Sequence, residues 1–419
     1  MLCVLMAVGL MFAPALGQSE GEAHQIATGH ARLDQLRAQG YEALYNLDYE
    51  GARQSFNEMV RLFPDHPAGP QCLAATLWVE ELNRSRQLQA SLYNTDSLSN
   101  RVDKVDPRTL EMFRRWTRTA RSLAEARLRQ DPQDVEALYF LGATDGLNAV
   151  FTAAVEQKYR AALVDSSRAV DRHKDVLKLD PNLHDAELTI GMSNYIVGSL
   201  PFPLKVIARI GGVHGSKKRG LEMLERVAKE GRWARDIART LLIDLYKREK
   251  RWPEALAVTR ELAAKYPRNY IFKLQTADVI VAEASNMRRK GLPASAANAR
   301  VREAYSIFES LLSDRDPANA GARRAADLIH FRYGEVLLAS EEFARAAEEF
   351  LSATTRAGGE SNLATLARLR AAQALDLSGN RREALAEYQA ILKRPDVFRS
   401  HENARRGLMS PIRKLSDLH

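Results

Sequence analysis

Cysteine is almost absent from this chain, since only Cys3 and Cys72 occur among its 419 residues. Cys3 lies within an apolar N-terminal run and not at its end, where a lipoprotein signal would need it. Removal of that run would leave one cysteine, which forms no internal disulfide, so stability must come from packing. Because Cys72 lies in an apolar helical stretch with Leu73 and Ala74, we predict a core residue rather than a nucleophile.

Recognisable catalytic and metal-binding motifs are also missing. The chain has no His-Glu-x-x-His, no paired cysteines, no calcium-binding loop and no Gly-x-Ser-x-Gly elbow, and its nine histidines are scattered. The sequence therefore predicts no metal, no cofactor and no catalytic residue. An enzyme whose site is assembled across distant helices stays open as an alternative, because fold alone does not decide function.

Long apolar runs are missing except at the N-terminus, where Leu2 to Phe12 is unbroken. The small residues Ala15 and Gly17 suit a signal peptidase, so we predict a signal peptide over 1–17 with cleavage before Gln18. The run is too short to span a membrane. The prediction is an exported protein, periplasmic or extracellular, either free or held at a membrane. The alternative is a buried first helix, and the true start codon is left open because no Lys or Arg precedes the run.

The chain does contain a repeated spacing. An alanine is followed twelve residues later by a proline in four places: Ala52 to Pro64, Ala120 to Pro132, Ala169 to Pro181 and Ala255 to Pro267. In some units a large aromatic residue follows the alanine by four positions, as with Phe56, and a glycine precedes it by twelve, as with Gly40. Such a frame predicts stacked helical hairpins, each ended by a proline that cannot continue the helix. It resembles the tetratricopeptide repeat (TPR).

No alternating apolar run is long enough for a sheet, so we predict an all-α, right-handed solenoid of TPR-like helical hairpins. Two units are stretched, with 27 residues from Gly142 to Ala169 and 29 from Gly191 to Gly220. After the signal peptide, the predicted solenoid covers 18–419: a first repeat (18–66), an irregular unit with a polar loop at 92–107 (67–132), two stretched repeats (133–232), a regular repeat (233–267), an irregular unit (268–324), two repeats (325–395) and a capping helix or tail (396–419).

The stretch 198–220 departs from the repeat pattern. Two prolines break the preceding helix, Leu204 to Ile210 predicts a short apolar helix, and three glycines then permit backbone shapes that other residues resist. Ser216 is predicted to cap a helix that starts at Lys217. The stretch is either a hinge within one stretched repeat or an anion site beside Lys217 and Lys218. It lacks the second glycine and the preceding strand of a P-loop.

Segment 183–267 resembles the tetratricopeptide-39 and inclusion-body-clearance family. The phrases that carry the resemblance are Leu200-Pro201, Leu204 to Ile210, Gly212 to Gly215, and Gly220-Leu221-Glu222-Met223-Leu224. They belong to a stretch of about a fifth of the chain, and looser repeat similarity covers the rest. The resemblance implies a TPR-type helical protein.

Positive charge is concentrated in one segment. Between Lys205 and Arg268 there are 17 Lys and Arg against 8 Asp and Glu, whereas the whole chain has a net charge of +8. This block would attract acidic proteins, phosphates or anionic lipid surfaces, or it is simply a solvated helix face. Trp233 and Tyr246 interleave with it, but they fall on apolar helical spacing and predict core packing, so no nucleic-acid partner is expected.

The predicted function is that of an exported, non-enzymatic scaffold that binds a protein or peptide partner on its concave face. The rival is an adaptor for anionic lipid surfaces that uses Leu200–Arg219, and burial of Phe202, Val206, Ile207 and Ile210 would remove its apolar anchor. The oligomeric state is not predicted. The candidate partner-binding residues, most of them cationic, are Asn194, Lys205, Arg209, Lys217, Lys218, Arg219, Lys247 and Arg248.

Overall fold

The computed structural model describes residues 16–84, 105–203, 205–206, 214–314, 316, 320–356 and 362–418, with the backbone alone for 16–30 and 356. Among these residues no strand occurs, and the backbone is helical apart from short connections, so the predicted all-α fold is confirmed. Nearly all of the predicted signal peptide and most of the predicted loop at 92–107 lie outside the described residues.

Helices follow one another through the N-terminal half of the chain, with a 3₁₀ turn over His184–Ala186. They are α1 (Leu16–Tyr45), α2 (Tyr49–Leu62), α3 (Ala68–Arg84), α4 (Pro107–Gln130), α5 (Val135–Ala154), α6 (Tyr159–Leu179), α7 (Glu187–Ser199) and α8 (Lys217–Glu230).

The C-terminal half continues in the same way and ends in a 3₁₀ turn over Leu415–Leu418. Its helices are α9 (Arg235–Arg248), α10 (Trp252–Lys265), α11 (Tyr270–Arg289), α12 (Ala294–Ser313), α13 (Ala320–Arg324), α14 (Ala326–Ala339), α15 (Phe343–Arg356), α16 (Asn362–Leu377), α17 (Arg381–Ile391) and α18 (Ser400–Met409). In the described ranges, no helix is both long and apolar enough to cross a membrane.

The alanine–proline frame corresponds to helix packing and helix ends. Ala52, Ala120, Ala169 and Ala255 are completely buried, which lets the neighbouring helices approach closely. Each helix that carries one of these alanines ends two residues before the proline, for example at Leu62 before Pro64. The proline cannot donate a backbone hydrogen bond and disfavours helical geometry in the residue before it, so the helix stops there.

The four regular hairpins share one turn geometry. Two residues beyond the end of the first helix, the backbone adopts a positive φ: 61° at Leu47, 59° at Lys250, 64° at Glu341 and 87° at Gly379. Three of these residues have side chains that make the left-handed conformation costly, by roughly 1–2 kcal/mol each. The same turn therefore recurs because hairpin packing determines it, not because the local residues prefer it.

A glycine on the first helix receives the large residue of the second. A Cβ atom at Gly40 would lie 2.2 Å from the Phe56 ring, and one at Gly334 would lie 2.8 Å from the Phe350 ring. Both rings are fully buried. The predicted glycine-to-alanine spacing of twelve thus places a residue without a side chain opposite an aromatic ring. This contact between glycine and ring holds the two helices of the hairpin together.

The first stretched unit lengthens both helices of its hairpin. The sequence 149–162, free of proline and glycine, predicts a continuous helical extension, but α5 ends at Ala154 and α6 begins at Tyr159. The extension is therefore divided between two helices of 20 and 21 residues. Gln157 adopts a positive φ of 55° in the connection, so the chain reverses there without a glycine.

In the second stretched unit, α7 and α8 meet at glycines. A Cβ atom at Gly220 would lie 2.6 Å from the backbone nitrogen of Tyr195, and one at Gly198 would lie 2.4 Å from the backbone nitrogen of Lys217. Gly215 also contacts α7 closely, and its φ is not positive. A side chain at position 215 would collide with the α7 backbone, so close approach, and not the backbone freedom inferred from the sequence, is the reason for a glycine there. The other two glycines of this stretch, Gly211 and Gly212, lie outside the described residues.

The N-terminal helices contact the middle of the chain. The Asn269 side chain donates a hydrogen bond of 2.6 Å to the carbonyl oxygen of Tyr45 at the end of α1. The Tyr270 hydroxyl donates to Asn83 at 3.1 Å, near the end of α3. Because these residues are about 190–220 positions apart, the stack curls back on itself. This curl forms the groove described below.

Candidate binding groove

One stripe of α1 forms the first wall of a groove. It consists of residues three or four positions apart, which share one face of a helix: Asp34, Arg37, Ala38, Tyr41, Glu42 and Tyr45. The adjacent face of α1, with Leu33, Leu36 and Leu44, is buried in the core with Phe56 of α2. Packing against α2 therefore fixes the orientation of the stripe.

The opposite wall comes from the start of α9 and the end of α10. It consists of Arg232, Trp233, Arg235, Asp236, Lys265 and Tyr266, and together with the α1 stripe it encloses about 450 Å³. The buried carboxylate of Asp185 holds this wall, because it accepts backbone hydrogen bonds from Arg232 at 2.9 Å, Trp233 at 2.6 Å and Ala234 at 2.5 Å. These residues immediately precede α9, and Ala234 is its N-cap, so their N–H groups have no partners within the helix.

Aromatic rings line much of the groove. Tyr45 stacks on Tyr266 with ring centroids 4.9 Å apart, and so joins the two walls. The Trp233 indole N–H donates a 3.2 Å hydrogen bond to Asp34. Rings with a polar edge supply flat apolar surface and still bond to water or ligand, which suits a site for an extended chain or a ring.

Two acidic residues of the groove are already paired. Asp34 forms an ion pair with Arg232. Asp236 accepts from Lys265 at 2.6 Å and from the Tyr266 hydroxyl at 2.5 Å. Burial would raise the pKa of Asp236, but these hydrogen bonds outweigh burial and hold that pKa below its usual value. Both carboxylates are therefore committed to binding neighbouring cations.

Arg37 is different, because it forms no direct ion pair; the buried carboxylate of Asp185 acts on its charge only from a longer distance. It is only 6% exposed, and among the described residues no carboxylate lies within ion-pair distance and no hydrogen bond reaches its Nε or Nη1. Its guanidinium carbon lies 4.7 Å from the centre of the Trp233 ring, 5.1 Å from that of Phe140 and 5.5 Å from that of Tyr41. Cation–π contacts of this kind supply part of the lost solvation, while Nε and Nη1 have no hydrogen-bond acceptor within reach.

The predicted candidate residues lie elsewhere, at the junction of α7, α8 and α9. Lys217 forms an ion pair of 2.8 Å with Glu249, which also accepts from the Tyr195 hydroxyl at 2.8 Å. The Asn194 side chain donates to the carbonyl oxygen of Ile190 at 2.9 Å, within its own helix. Ser216 caps α8 as predicted, because its hydroxyl accepts from the backbone N–H of Arg219 at 3.3 Å.

The remaining candidates are cations on the surface nearby. Lys218 and Arg219 are exposed and border a second cavity of about 510 Å³ with Arg226, Glu187 and Glu222. Lys247 lies 3.6 Å from Asp244, and Arg248 is exposed. Lys205 is half-buried, and Arg209 lies outside the described residues. The structure thus places Lys217 beside the end of α9, while none of the seven described candidates lines the groove.

Of the four apolar residues predicted to anchor the protein to a lipid surface, the structure describes Phe202 and Val206. Phe202 is 79% exposed and Val206 is 41% exposed, and Ile196, one turn before the end of α7, is also exposed. Ile207 and Ile210 lie outside the described residues. Phe202 and Val206 are therefore exposed rather than buried in the core, and Phe202 is the more exposed of the two.

The groove was not predicted from the sequence. Arg37 lies among Leu33, Leu36 and Leu44 on the apolar side of α1, and a charged residue in such a stripe signals a buried ion that needs a partner. Trp233, interpreted from its spacing as a core residue, is only half-buried and lines the groove. In the part of the chain that the structure describes, no cluster of three or more His, Cys, Asp or Glu is placed to hold a metal ion.

No protein-family model matches the chain, and no curated protein matches it. Among solved structures, human IFIT1 dimer with PPP-AAAA is 12% identical, with 90% of this chain and 84% of that chain covered and a TM-score of 0.43. A tetratricopeptide repeat protein from Parabacteroides merdae is 15% identical, with 80% and 99% covered and a TM-score of 0.30. Yeast Tom70 is 11% identical, with 88% and 86% covered and a TM-score of 0.37. These likenesses are too weak to transfer a ligand or an activity.

Proposed function

We propose that the protein is an exported, non-enzymatic TPR-type scaffold that binds a protein or peptide partner. The groove between α1 and residues 232–266 is the observation that carries this proposal. Its walls belong to different hairpins, it encloses about 450 Å³, and tyrosine and tryptophan rings line it between charged side chains. That volume accommodates a few side chains of an extended peptide, and ligand sites are commonly of this size and lining.

One wall of the groove is the first helix of its hairpin, and first helices of stacked hairpins line the concave face. This supports the concave face as the binding surface. Export is proposed from the apolar run of Leu2 to Phe12, and membership of the tetratricopeptide-39 family from the phrases between Leu200 and Leu224. Sequencing the N-terminus of the secreted chain tests export, since a first residue other than Gln18 would contradict the proposed cleavage.

A variant that fills the groove tests partner binding. Ala38 is exposed and lines the groove, so Ala38→Trp occupies the space without touching the core. Gln39, the next residue, is exposed but does not line the groove, which makes Gln39→Trp the matched control. We expect a pool of random octapeptides to be enriched on the parent protein and on Gln39→Trp, and to lose this enrichment on Ala38→Trp. Equal enrichment on both variants would reject the groove as the site.

A second function, adhesion to an anionic lipid surface, is favoured by one observation. Phe202, Val206 and Ile196 expose apolar side chains at the end of α7, and the cations Lys218 and Arg219 begin α8 nearby. Exposed apolar side chains bordered by cations match the interface of an anionic membrane, where both kinds of group are stabilised.

Vesicle flotation separates this function from the first. We expect binding to vesicles that contain phosphatidylserine but not to phosphatidylcholine vesicles. Both Phe202→Ser and the double variant Lys218→Glu, Arg219→Glu should reduce it. The control is Arg289→Glu with Lys290→Glu, two cations at the end of α11. If that control weakens flotation as much as the α8 variant does, the attraction is only general electrostatics and the proposed surface is wrong.

A further inference from the structure

The hairpins α5/α6 and α7/α8 meet along part of their length and separate toward one end. A Cβ atom at Gly146 would lie 3.9 Å from the Cβ atom of Ala169 and 4.0 Å from the Thr189 hydroxyl, so α5, α6 and α7 come together there. Val150 follows Gly146 by four residues and Ile196 follows Thr189 by seven, so each lies on the facing side of its helix. Both side chains are nevertheless more than half exposed. The two helices have therefore parted beyond Gly146.

The second helix of the stretched hairpin supplies another wall. Tyr159 precedes Leu177 by 18 residues, or five helical turns, and Leu163 precedes it by 14, so all three share one face of α6. Leu177 lies against the α7/α8 hairpin, because it lines the second cavity with Glu187 and Met223. At the other end of this face, Tyr159 and Leu163 are more than half exposed. We call the space lined by Val150, Tyr159, Leu163 and Ile196 the apolar cleft.

Cations border the apolar cleft. They flank Tyr159 in the chain, follow the end of α7 and begin α8: Lys158, Arg160, Lys205, Lys218 and Arg219. Two of them are paired, Lys158 with Glu156 at 2.7 Å and Lys218 with Glu222 at 3.9 Å. The other three have no carboxylate within ion-pair distance in the part of the chain that the structure describes. Lys217 is neutralised by Glu249. The border thus has an excess of positive charge, which favours an anionic partner.

Hydrocarbon suits the lining of the cleft better than a peptide does. Three of its four residues are aliphatic, so a peptide backbone placed among them would leave N–H and C=O groups without partners. An acyl chain has no such groups. The fourth residue, Tyr159, combines a ring with a polar end, as side chains at membrane interfaces do. We propose that the apolar cleft receives an acyl chain of an anionic membrane lipid; this rests on the second proposed function, adhesion to an anionic lipid surface.

Two substitutions test the lining without touching the core. Leu163→Asn and Ile196→Asn replace exposed side chains, so the melting temperature of each variant should equal that of the parent. We expect each to weaken binding to phosphatidylserine vesicles about 10-fold or more, because an apolar side chain no longer leaves water. Leu292→Asn is the matched control and should change nothing, since Leu292 is also exposed and lies beside the cations Arg289 and Lys290.

Fluorescence quenching measures whether acyl chains reach the cleft. Bimane is attached at Leu163→Cys, Ile196→Cys or Leu292→Cys, and the vesicles contain phosphatidylserine and a phosphatidylcholine with brominated acyl chains. Cys72 is completely buried and is not labelled in the folded protein, and Cys3 is changed to serine where the chain retains it. We expect quenching of the labels at positions 163 and 196 but not of the label at position 292.

The outcomes separate the cleft from the lipid surface around it. Flotation that is lost in Phe202→Ser but kept in Leu163→Asn and Ile196→Asn, without quenching by bromine, would overturn the cleft and leave the lipid-surface function intact. A parent protein that does not float would reject both. Two results without vesicles would also overturn the inference: labels shielded from iodide only at high protein concentration would assign the cleft to a second copy, and labels shielded by the octapeptide pool would assign it to a protein partner.

Discussion

His173 occupies, in the first stretched unit, the position that Phe56 holds in the first repeat. Each lies four residues after the buried alanine and opposite a glycine, which is Gly142 in the case of His173. His173 is buried, its Nε2 lies 3.1 Å from the carbonyl oxygen of Tyr139, and its ring stacks on the Tyr139 ring. Burial lowers the pKa of His173 to about 4, so the ring is neutral near pH 7.

This histidine should make the protein sensitive to mild acid. As the pH falls below about 6.5, the unfolded chain binds the proton first, because the pKa of His173 in the folded protein is lower. Stability is therefore lost between pH 6.5 and pH 4, by about 2 kcal/mol between pH 7 and pH 5. His173→Phe introduces the residue type that Phe56 represents at this position of the repeat. We expect this variant to lose about 2 kcal/mol less stability than the parent between pH 7 and pH 5.

Urea unfolding at pH 7 and pH 5 measures the effect in both proteins. Carboxylates that titrate in the same range affect parent and variant alike, so the difference between the two pH dependences isolates His173. Identical pH dependence in the two proteins would show that this ring does not control acid stability.

At the scale of helices, the sequence predicted which residues pack within a hairpin and where its second helix ends. It did not predict the connections between the helices. The alanine–proline spacing located the buried alanines and the ends of four helices, because both are determined within one hairpin. The division of the stretched unit between α5 and α6 was not predicted, because no proline or glycine marks the connection. The residue with a positive φ in a hairpin turn, such as Lys250, was not predicted either, because its residue type does not indicate that conformation.

The contact between α7 and α8 gives a prediction at this scale. At Gly220 an added Cβ would lie 2.6 Å from the backbone nitrogen of Tyr195 and 2.7 Å from the carbonyl oxygen of Gly191. Backbone atoms cannot move aside as a side chain end can, so Gly220→Ala must separate the two helices. We expect a loss of about 1–3 kcal/mol, the usual cost of overpacking, concentrated in α7 and α8.

The control is Gly146→Ala in α5, where an added Cβ would meet no atom closer than 3.9 Å. There alanine should stabilise the helix by up to about 1 kcal/mol through its higher propensity. Thermal unfolding gives the sign of each change, and hydrogen exchange shows where the Gly220→Ala variant opens. A stabilised Gly220→Ala protein would contradict the close contact between the helices.

At the scale of the whole molecule, the groove depends on contacts that no repeat pattern encodes. Its walls are residues 34–45 and 232–266, roughly 200 positions apart. In a simple solenoid each unit contacts only its neighbours, so stability is a sum of local terms. Here Tyr45 at the end of α1 meets both Tyr266 and Asn269. This closure explains why neither the groove nor Arg37 followed from the sequence, although the hairpins did.

Asn269 tests whether this closure couples the N-terminal helices to the middle of the stack. Its Oδ1 accepts from the backbone N–H of Ile271 at 3.0 Å and caps α11, while its Nδ2 donates to the Tyr45 carbonyl. Asn269→Asp keeps the cap but replaces the donor with a carboxylate oxygen facing that carbonyl. In a buried position this should cost about 1–3 kcal/mol. Asn182→Asp in an exposed turn is the matched control.

Hydrogen exchange followed by mass spectrometry should show faster exchange in α1, α2 and α3 of Asn269→Asp, with α14 to α17 unchanged. The groove should open with them, so the octapeptide pool enriched on the parent should be retained less although no groove residue has changed. Exchange that quickens equally along the whole chain would mean that the stack unfolds as one unit. In that case the Tyr45–Asn269 contact would contribute to global stability and would not act as a separate closure of the groove.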